Sequence, residues 1–138
     1  MRVEFKEITL STKGFNDVHD LSDKIREFLS SISARDGLLT VISPGSTAGI
    51  TTIEYEPGLV KDIDELLDRL VPRKGYHHDS TWGDGNGFSH LRSSLIGASL
   101  CVPIKGGHPV LGTWQQVVLI DFDNRARKRR VVFQYMGE

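Results

Sequence analysis

The sequence predicts an α+β fold built on a mainly antiparallel sheet or sandwich. Three observations carry this expectation. Apolar and polar residues alternate over about six short stretches, the period of a strand with one buried face. Only two stretches carry apolar residues at helical spacing. Helices and strands do not alternate along the chain, which argues against a parallel βαβ architecture.

Taken in order, Val3 to Leu10 alternates and reads as a strand. Gly14 to Asp17 is a turn. Val18, Leu21, Ile25, Phe28, Leu29 and Ile32 then recur three and four apart, an amphipathic helix with Gly37 as its left-handed stop. Leu38 to Ser43 is a β-prone run, turned by Pro44-Gly45, and Ile50 to Tyr55 is the next strand, broken by Pro57-Gly58. Leu59, Ile63, Leu66, Leu67 and Leu70 make one stripe of a second helix over 59–71, ended by Pro72. Residues 73 to 90 form a polar, Gly-rich loop, and Leu91 to Ile96 a short helix or turn. Ser99 to Lys105 is a strand. Val110 to Phe122 reads as one long strand with Trp114, Gln116, Val118 and Ile120 on one face and Gln115, Val117 and Leu119 on the other. Trp114 is thereby assigned to the core. Arg130 to Tyr135 is the last strand.

With 138 residues and no linker or repeat, the chain is expected to be one domain, 1–138. Apolar residues at 38% and charged residues at 25% are those of a globular protein. A formal net charge of −1 gives no electrostatic drive toward nucleic acid or a membrane surface. No segment approaches the roughly 20 apolar residues of a membrane span. The segment Met1 to Lys6 lacks the apolar stretch of a signal peptide. The single Cys101 cannot form an internal disulfide, so a reducing, cytoplasmic setting is expected. Within Leu100-Cys101-Val102 it reads as a small buried hydrophobe. Arg125, Arg127, Lys128, Arg129 and Arg130 form a basic run with no interleaved aromatics, which reads as a solvated hairpin.

The candidate site is the polar loop. It gathers His77, His78, Asp79, Asp84, Asn86 and His90 among glycines, and such a segment carries polar groups to a place instead of filling a core. His78 and His90 are the candidate metal ligands, because a neutral imidazole is the commonest protein ligand for zinc and similar ions. Asp79, Asp84 or Glu54 can complete an open site. The spacing matches no zinc finger and no H-E-x-x-H motif. Glu54 ends an apolar and hydroxylic strand, where it meets a cation or emerges at the sheet edge. Asp62 flanks the apolar stripe of the second helix, near its N-terminus, where the dipole favours an acid. Ser43 to Gly49, with Ser46 and Thr47, is a small-residue loop whose N–H groups can cradle an anion.

Further residues carry a resemblance. Ser99-x-x-Val102-x-Ile104-x-x-Gly107, then Gly112-Thr113-Trp114-Gln115-x-Val117, resembles the signature of the YjbQ family, numbered UPF0047. Thr47-Ala48, Glu54, Asp62, the His78/Asn86/His90 loop and Leu95-Ile96-Gly97 follow in the family's order, so the resemblance runs from about Phe5 to Phe133. It implies a jelly-roll-like β-sandwich with two principal helices, a homotrimer, and a weak thiamine phosphate synthase activity that joins a pyrimidine pyrophosphate to a thiazole phosphate. In that reading Glu54, Asp62 and His90 are catalytic, and His78 and His90 hold a divalent metal, zinc or magnesium, or the pyrophosphate. Ser46, Thr47, Asn86 and Gln115 bind the small phosphorylated substrate. The alternative is a non-catalytic metal- or small-ligand-binding module. The chain departs from the family at Ser46, which stands where many members carry a histidine, and in its ending Asp123-Asn124-Arg125-Ala126-Arg127.

Overall fold

The computed structural model describes residues 1–138. Its elements are β1 (Arg2–Thr12), β2 (Asp17–Asp20), α1 (Ser22–Ser31), β3 (Gly37–Ile42), β4 (Ala48–Ile53), α2 (Pro57–Leu70), α3 (His77–Trp82), α4 (Gly87–Ile96), β5 (Ser99–Lys105), β6 (His108–Pro109), β7 (Gln116–Asp121) and β8 (Arg127–Gly137). The strands form two antiparallel sheets, one in the order β1-β8-β3-β5-β6 and one in the order β2-β7-β4. The fold is therefore α+β, with four helices where sequence periodicity gave two.

The layers follow from which face of each strand is apolar. Leu39, Val41, Val102, Ile104, Val131, Phe133 and Tyr135 of the larger sheet pack against Ile50, Val117 and Leu119 of the smaller one. Leu21, Ile25, Phe28 and Leu29 beside and along α1 close that core. The other face of the smaller sheet, Val118, Ile120 and Phe122, packs on Leu67 and Ile63 of α2 and Ile96 of α4. β7 is thus buried on both faces, which is why Val117 to Ile120 is a continuous apolar run. No helix is long and apolar enough to cross a membrane.

Several departures from the sequence reading have local causes. Val18 pairs with Ile120 in the β2–β7 ladder, so α1 starts only at Ser22, where the Asp20 carboxylate accepts the Ser22 N–H at 2.9 Å. α2 begins at Pro57 because the Glu56 carboxylate accepts the N–H groups of Gly58 and Leu59, each at 2.8 Å. α3 buries no residue and so leaves no apolar stripe to read; it ends at Gly83, in the left-handed region at φ 73°. α4 starts four residues earlier than the periodicity suggests, because much of its buried face is Gly87, Ser89, Arg92 and Ser93.

Two side chains assigned to the core are outside it. Trp114 is 72% exposed, because residues 113–114 form a turn and β7 begins only at Gln116, so strand alternation does not reach it. Cys101 is exposed, on the outer face of β5 next to Thr40.

Phe133→Ala is expected to lower stability by about 3–5 kcal/mol, since the ring is fully buried between the sheets and stacks beside Phe28. Cys101→Ser should change stability by no more than about 0.5 kcal/mol, the range of an exposed position. Urea unfolding of both variants checks the assignment, and the reverse order would place the wrong face of β5 in the core.

Candidate functional site

A buried charge cluster organises one end of the two sheets. Asp121, the last residue of β7, and Asp123, two residues on, are both fully buried. Arg129 of β8 reaches Asp121 with two donors, Nε to Oδ2 and Nη2 to Oδ1, each at 2.8 Å. The Thr12 hydroxyl of β1 donates to the same carboxylate at 2.5 Å. Arg129 Nη2 also donates to the Thr47 hydroxyl at 2.6 Å. Asp123 accepts from Arg127 Nε at 2.6 Å, from Asn86 Nδ2 at 3.2 Å and from the Asn124 N–H at 2.8 Å. Burial pushes both carboxyls up. For Asp121 that rise is outweighed by Arg129, Thr12 and the Asp123 N–H; for Asp123 it is outweighed by the Asn124 N–H, Asn86 and Arg127. Both acids are held below the usual carboxylate range.

The histidines sit on this platform. His78 of α3 and His90 of α4 bring their rings to 4.5 Å between centroids, tilted by 41°. Gly87 opens α4 where a Cβ would come within 2.8 Å of the Asp79 carboxylate and 3.2 Å of His78 Cβ, so a glycine is needed for α3 to lie this close. The Gly87 N–H donates to Asp79 at 2.8 Å and ties the two helices. Asp79 and Asp84 stand 3.5 and 3.8 Å from His78 Nδ1, which is buried and makes no hydrogen bond. Burial, then the positive field of His78 and Arg127, lowers the His90 pKa against the opposing pull of Asp123 and Asp84.

The structure brings His78, His90, Asn86 and Thr47 to this end and leaves the remaining predicted residues elsewhere. Ala48 pairs with Asp121, and Ile53, at the far end of β4, pairs with Gln116. Glu54 therefore lies on the order of 20 Å along the strand from Thr47. It is exposed, in a shallow pocket with Asp20, Arg26, Tyr55 and Trp114. Gln115 is not beside the histidines: it is exposed at that second end, accepting the Gly112 N–H and donating to Thr52. Asp62 is exposed on α2 beyond its first turn, facing neither the core nor the dipole terminus. Ser46 is exposed beside the cluster, next to buried Thr47.

Four residues that organise the site escaped the sequence reading: Asp121, Asp123, Arg127 and Arg129. The basic run is a solvated hairpin only in part: Arg125, Lys128 and Arg130 are exposed, but Arg129 is buried and Arg127 half-buried on their acids. The signal was present. An acid inside a strand buried on both faces demands a cation, and Arg127 and Arg129 are two apart on the next strand, hence on one face.

The residues do not fit a preassembled divalent-metal site. No group of three or more His, Cys, Asp or Glu side chains converges to hold an ion. A zinc site takes at least three protein ligands; here two imidazoles approach one another and Asp79 and Asp84 lie near His78, but no three of these groups converge on one point.

The family model for "UPF0047 protein YjbQ-like" matches residues 6–138. The chain belongs to this family. A UPF0047 protein of Archaeoglobus fulgidus is 39% identical over 127 residues, 91% of this chain and 96% of that protein. The UPF0047 protein YugU of Bacillus subtilis is 30% identical over 133 residues, covering 96% and 98%. The crystal structure of a YbjQ-like protein of unknown function from Sulfolobus solfataricus superposes with a TM-score of 0.93 at 26% identity, over 99% of each chain. A hypothetical protein from Aeropyrum pernix gives 0.90 at 34% identity, over 98% of this chain and 99% of that one. The YjbQ-like chain thus shares its architecture with these two solved structures.

In this YjbQ-like protein the His90 ring is expected to titrate below 6.5 in NMR. His78→Gln should move the midpoint up, because the charge of His78 is the second cause of the depression. The folded state binds fewer protons than the unfolded chain as pH falls through 6.5, so the His90 contribution to stability declines on acidification in that window. An unmoved midpoint in His78→Gln would show that the two rings do not interact in solution.

Proposed function

We propose that this protein is an enzyme acting on a small phosphorylated substrate whose phosphate is held by His78, His90 and Arg127. The observation that supports it most is the imidazole pair and a guanidinium fixed around one buried carboxylate. Arg127 binds Asp123 through Nε alone, so its terminal nitrogens remain as donors held in a set direction. His90, kept neutral by burial, suits proton transfer near neutral pH. The finer reading is the thiamine phosphate synthase reaction, in the cytoplasm. There the thiazole nitrogen forms a bond to the pyrimidine methylene carbon as the carbon–oxygen bond breaks, and pyrophosphate leaves with the bonding electrons. The two histidines and Arg127 are suited to stabilise that leaving charge, with Asn86 and Thr47 behind them. Incubating the protein with the two precursors and measuring pyrophosphate release tests it. Arg127→Ala should cut the rate by about a hundredfold or more, the scale of one lost charge-stabilising donor. Pyrophosphate binding without turnover would leave a ligand-binding module in place of an enzyme.

The same reading includes a homotrimer. Glu54, Gln115, Tyr55 and the 72% exposed Trp114 lie at the end opposite the histidines. If that end of one copy meets the histidine end of the next, a head-to-tail contact closes a ring and brings Glu54 and Gln115 to the histidines of the neighbouring copy. Exposed Trp and Tyr are the side chains most enriched in interfaces. The eight strands in two antiparallel sheets accord with a jelly-roll-like sandwich in each copy. Light scattering should give three times the chain mass, and Trp114→Lys should give monomers; a monomeric wild-type protein at micromolar concentration would rule this assembly out.

A further inference from the structure

Arg129 is only 6% exposed, yet part of its donor set is unspent. A guanidinium carries five N–H donors in a rigid plane. Nε gives its one to Asp121. Nη2 gives its two to Asp121 and to the hydroxyl and carbonyl of Thr47. Nη1 donates to nothing in the chain, and it lies off the Nε–Nη2 edge that meets the Asp121 carboxylate. Nor is it sealed: the side-chain atoms shut off from solvent without a partner are His78 Nδ1 and Asn86 Oδ1. Gly45 defines the space that Nη1 faces. A Cβ on Gly45 would meet Nη1 at 3.5 Å and no other atom within 4 Å. The room beside Gly45 is therefore open, and the nearest atom of its wall is a free, charged donor held in place by its own buried ion pair.

The loop supplies further donors. Gly45 and Ser46 are exposed, and neither gives its N–H to an acceptor of the chain. Unspent backbone N–H groups beside a fixed cation make an anion-binding concavity. Arg127 is the neighbouring cation. Its Nε reaches Asp123 Oδ2 at 2.6 Å, and Arg129 Nη2 stands 3.8 Å from the same oxygen, so the two guanidinium groups flank one atom. We infer that Arg129 Nη1 and the Gly45–Ser46 loop form a second anion subsite beside Arg127, and that the ligand class of this end is a diphosphate. One phosphate lies on Arg127 and the histidines, and the other accepts from Arg129 Nη1 and the loop N–H groups. Arg129 thereby holds the two sheets together through one edge of its guanidinium and presents the other edge to the ligand. The inference rests on the reading of the histidine and Arg127 cluster as a phosphate site.

Inorganic phosphate and inorganic pyrophosphate separate the two ideas. Calorimetric titration of the wild-type protein should show pyrophosphate binding at least about tenfold more tightly, the scale of one added charge-assisted hydrogen bond. In NMR, pyrophosphate should move the backbone amide signals of Gly45 and Ser46 and the side-chain signals of Arg129 together with the rings of His78 and His90. Gly45→Ala sets a methyl group against Nη1 and should reduce the preference for pyrophosphate to within about twofold, with phosphate affinity unchanged. If pyrophosphate moves the rings and leaves Gly45, Ser46 and Arg129 unmoved, the second subsite is overturned and the histidine site stands. If it moves the loop and Arg129 and leaves the rings unmoved, the anion subsite stands, and the histidine reading falls with the diphosphate assignment. Movement of neither set overturns both. Gly45 has a positive φ of 154°, which strains an alanine there, and the wild-type spectra decide the matter even if that variant does not fold.

Discussion

The structure depends on the two-pronged contact between Asp121 and Arg129. It joins β7 of the smaller sheet to β8 of the larger one, and Thr12 and Thr47 attach β1 and the strand entrance of β4 to the same pair. Removing two charges from water costs several kcal/mol per ion unless every donor and acceptor is matched. Here the matching is nearly complete, with both carboxylate oxygens and two guanidinium nitrogens engaged. The pair fixes the relative position of the sheets at this end, where apolar side chains, which have no preferred direction, do not.

The candidate site is built outward from that contact. Asp123 follows Asp121 by two residues, donates its N–H back to it, and extends the charge network to Asn86 and Arg127. α4 is held from its other side by Arg92, fully buried, which donates to the Leu67 and Val71 carbonyls ending α2, to Asp68 and to Asn16. Arg92 is two residues from His90. The imidazole is therefore carried on a helix pinned by two arginine-bearing networks, which is the kind of second support that keeps reacting groups in place.

Much of the fold was readable. β5 was read from Ser99 to Lys105 as observed, because alternation bounded by glycines is a local signal. The stripe of α2 was read because one face of it packs on the smaller sheet. The histidine loop was recognised because His, Asp and Asn among glycines cannot fill a core. What failed has a common cause. α3 and α4 are fixed by glycine fit, a shared carboxylate and a buried arginine, none of which has a period. Alternation extended through residues 113–114 puts Trp114 in the core, but those residues turn.

The amino-acid sequence by itself determined the class of fold, the family and the segment that bears the histidines, since each is written in local pattern or in residue types. Tertiary structure alone decided that Glu54 and Gln115 lie at one end of β4 and β7 while His78, His90 and Asn86 lie at the other. It alone decided that two arginines of a basic run, Arg127 and Arg129, are internal counter-charges. The reason is physical: the fate of a charge or an amide depends on what the folded chain sets opposite it, and those partners can be far off in the chain, 109 residues in the case of Thr12 and Asp121.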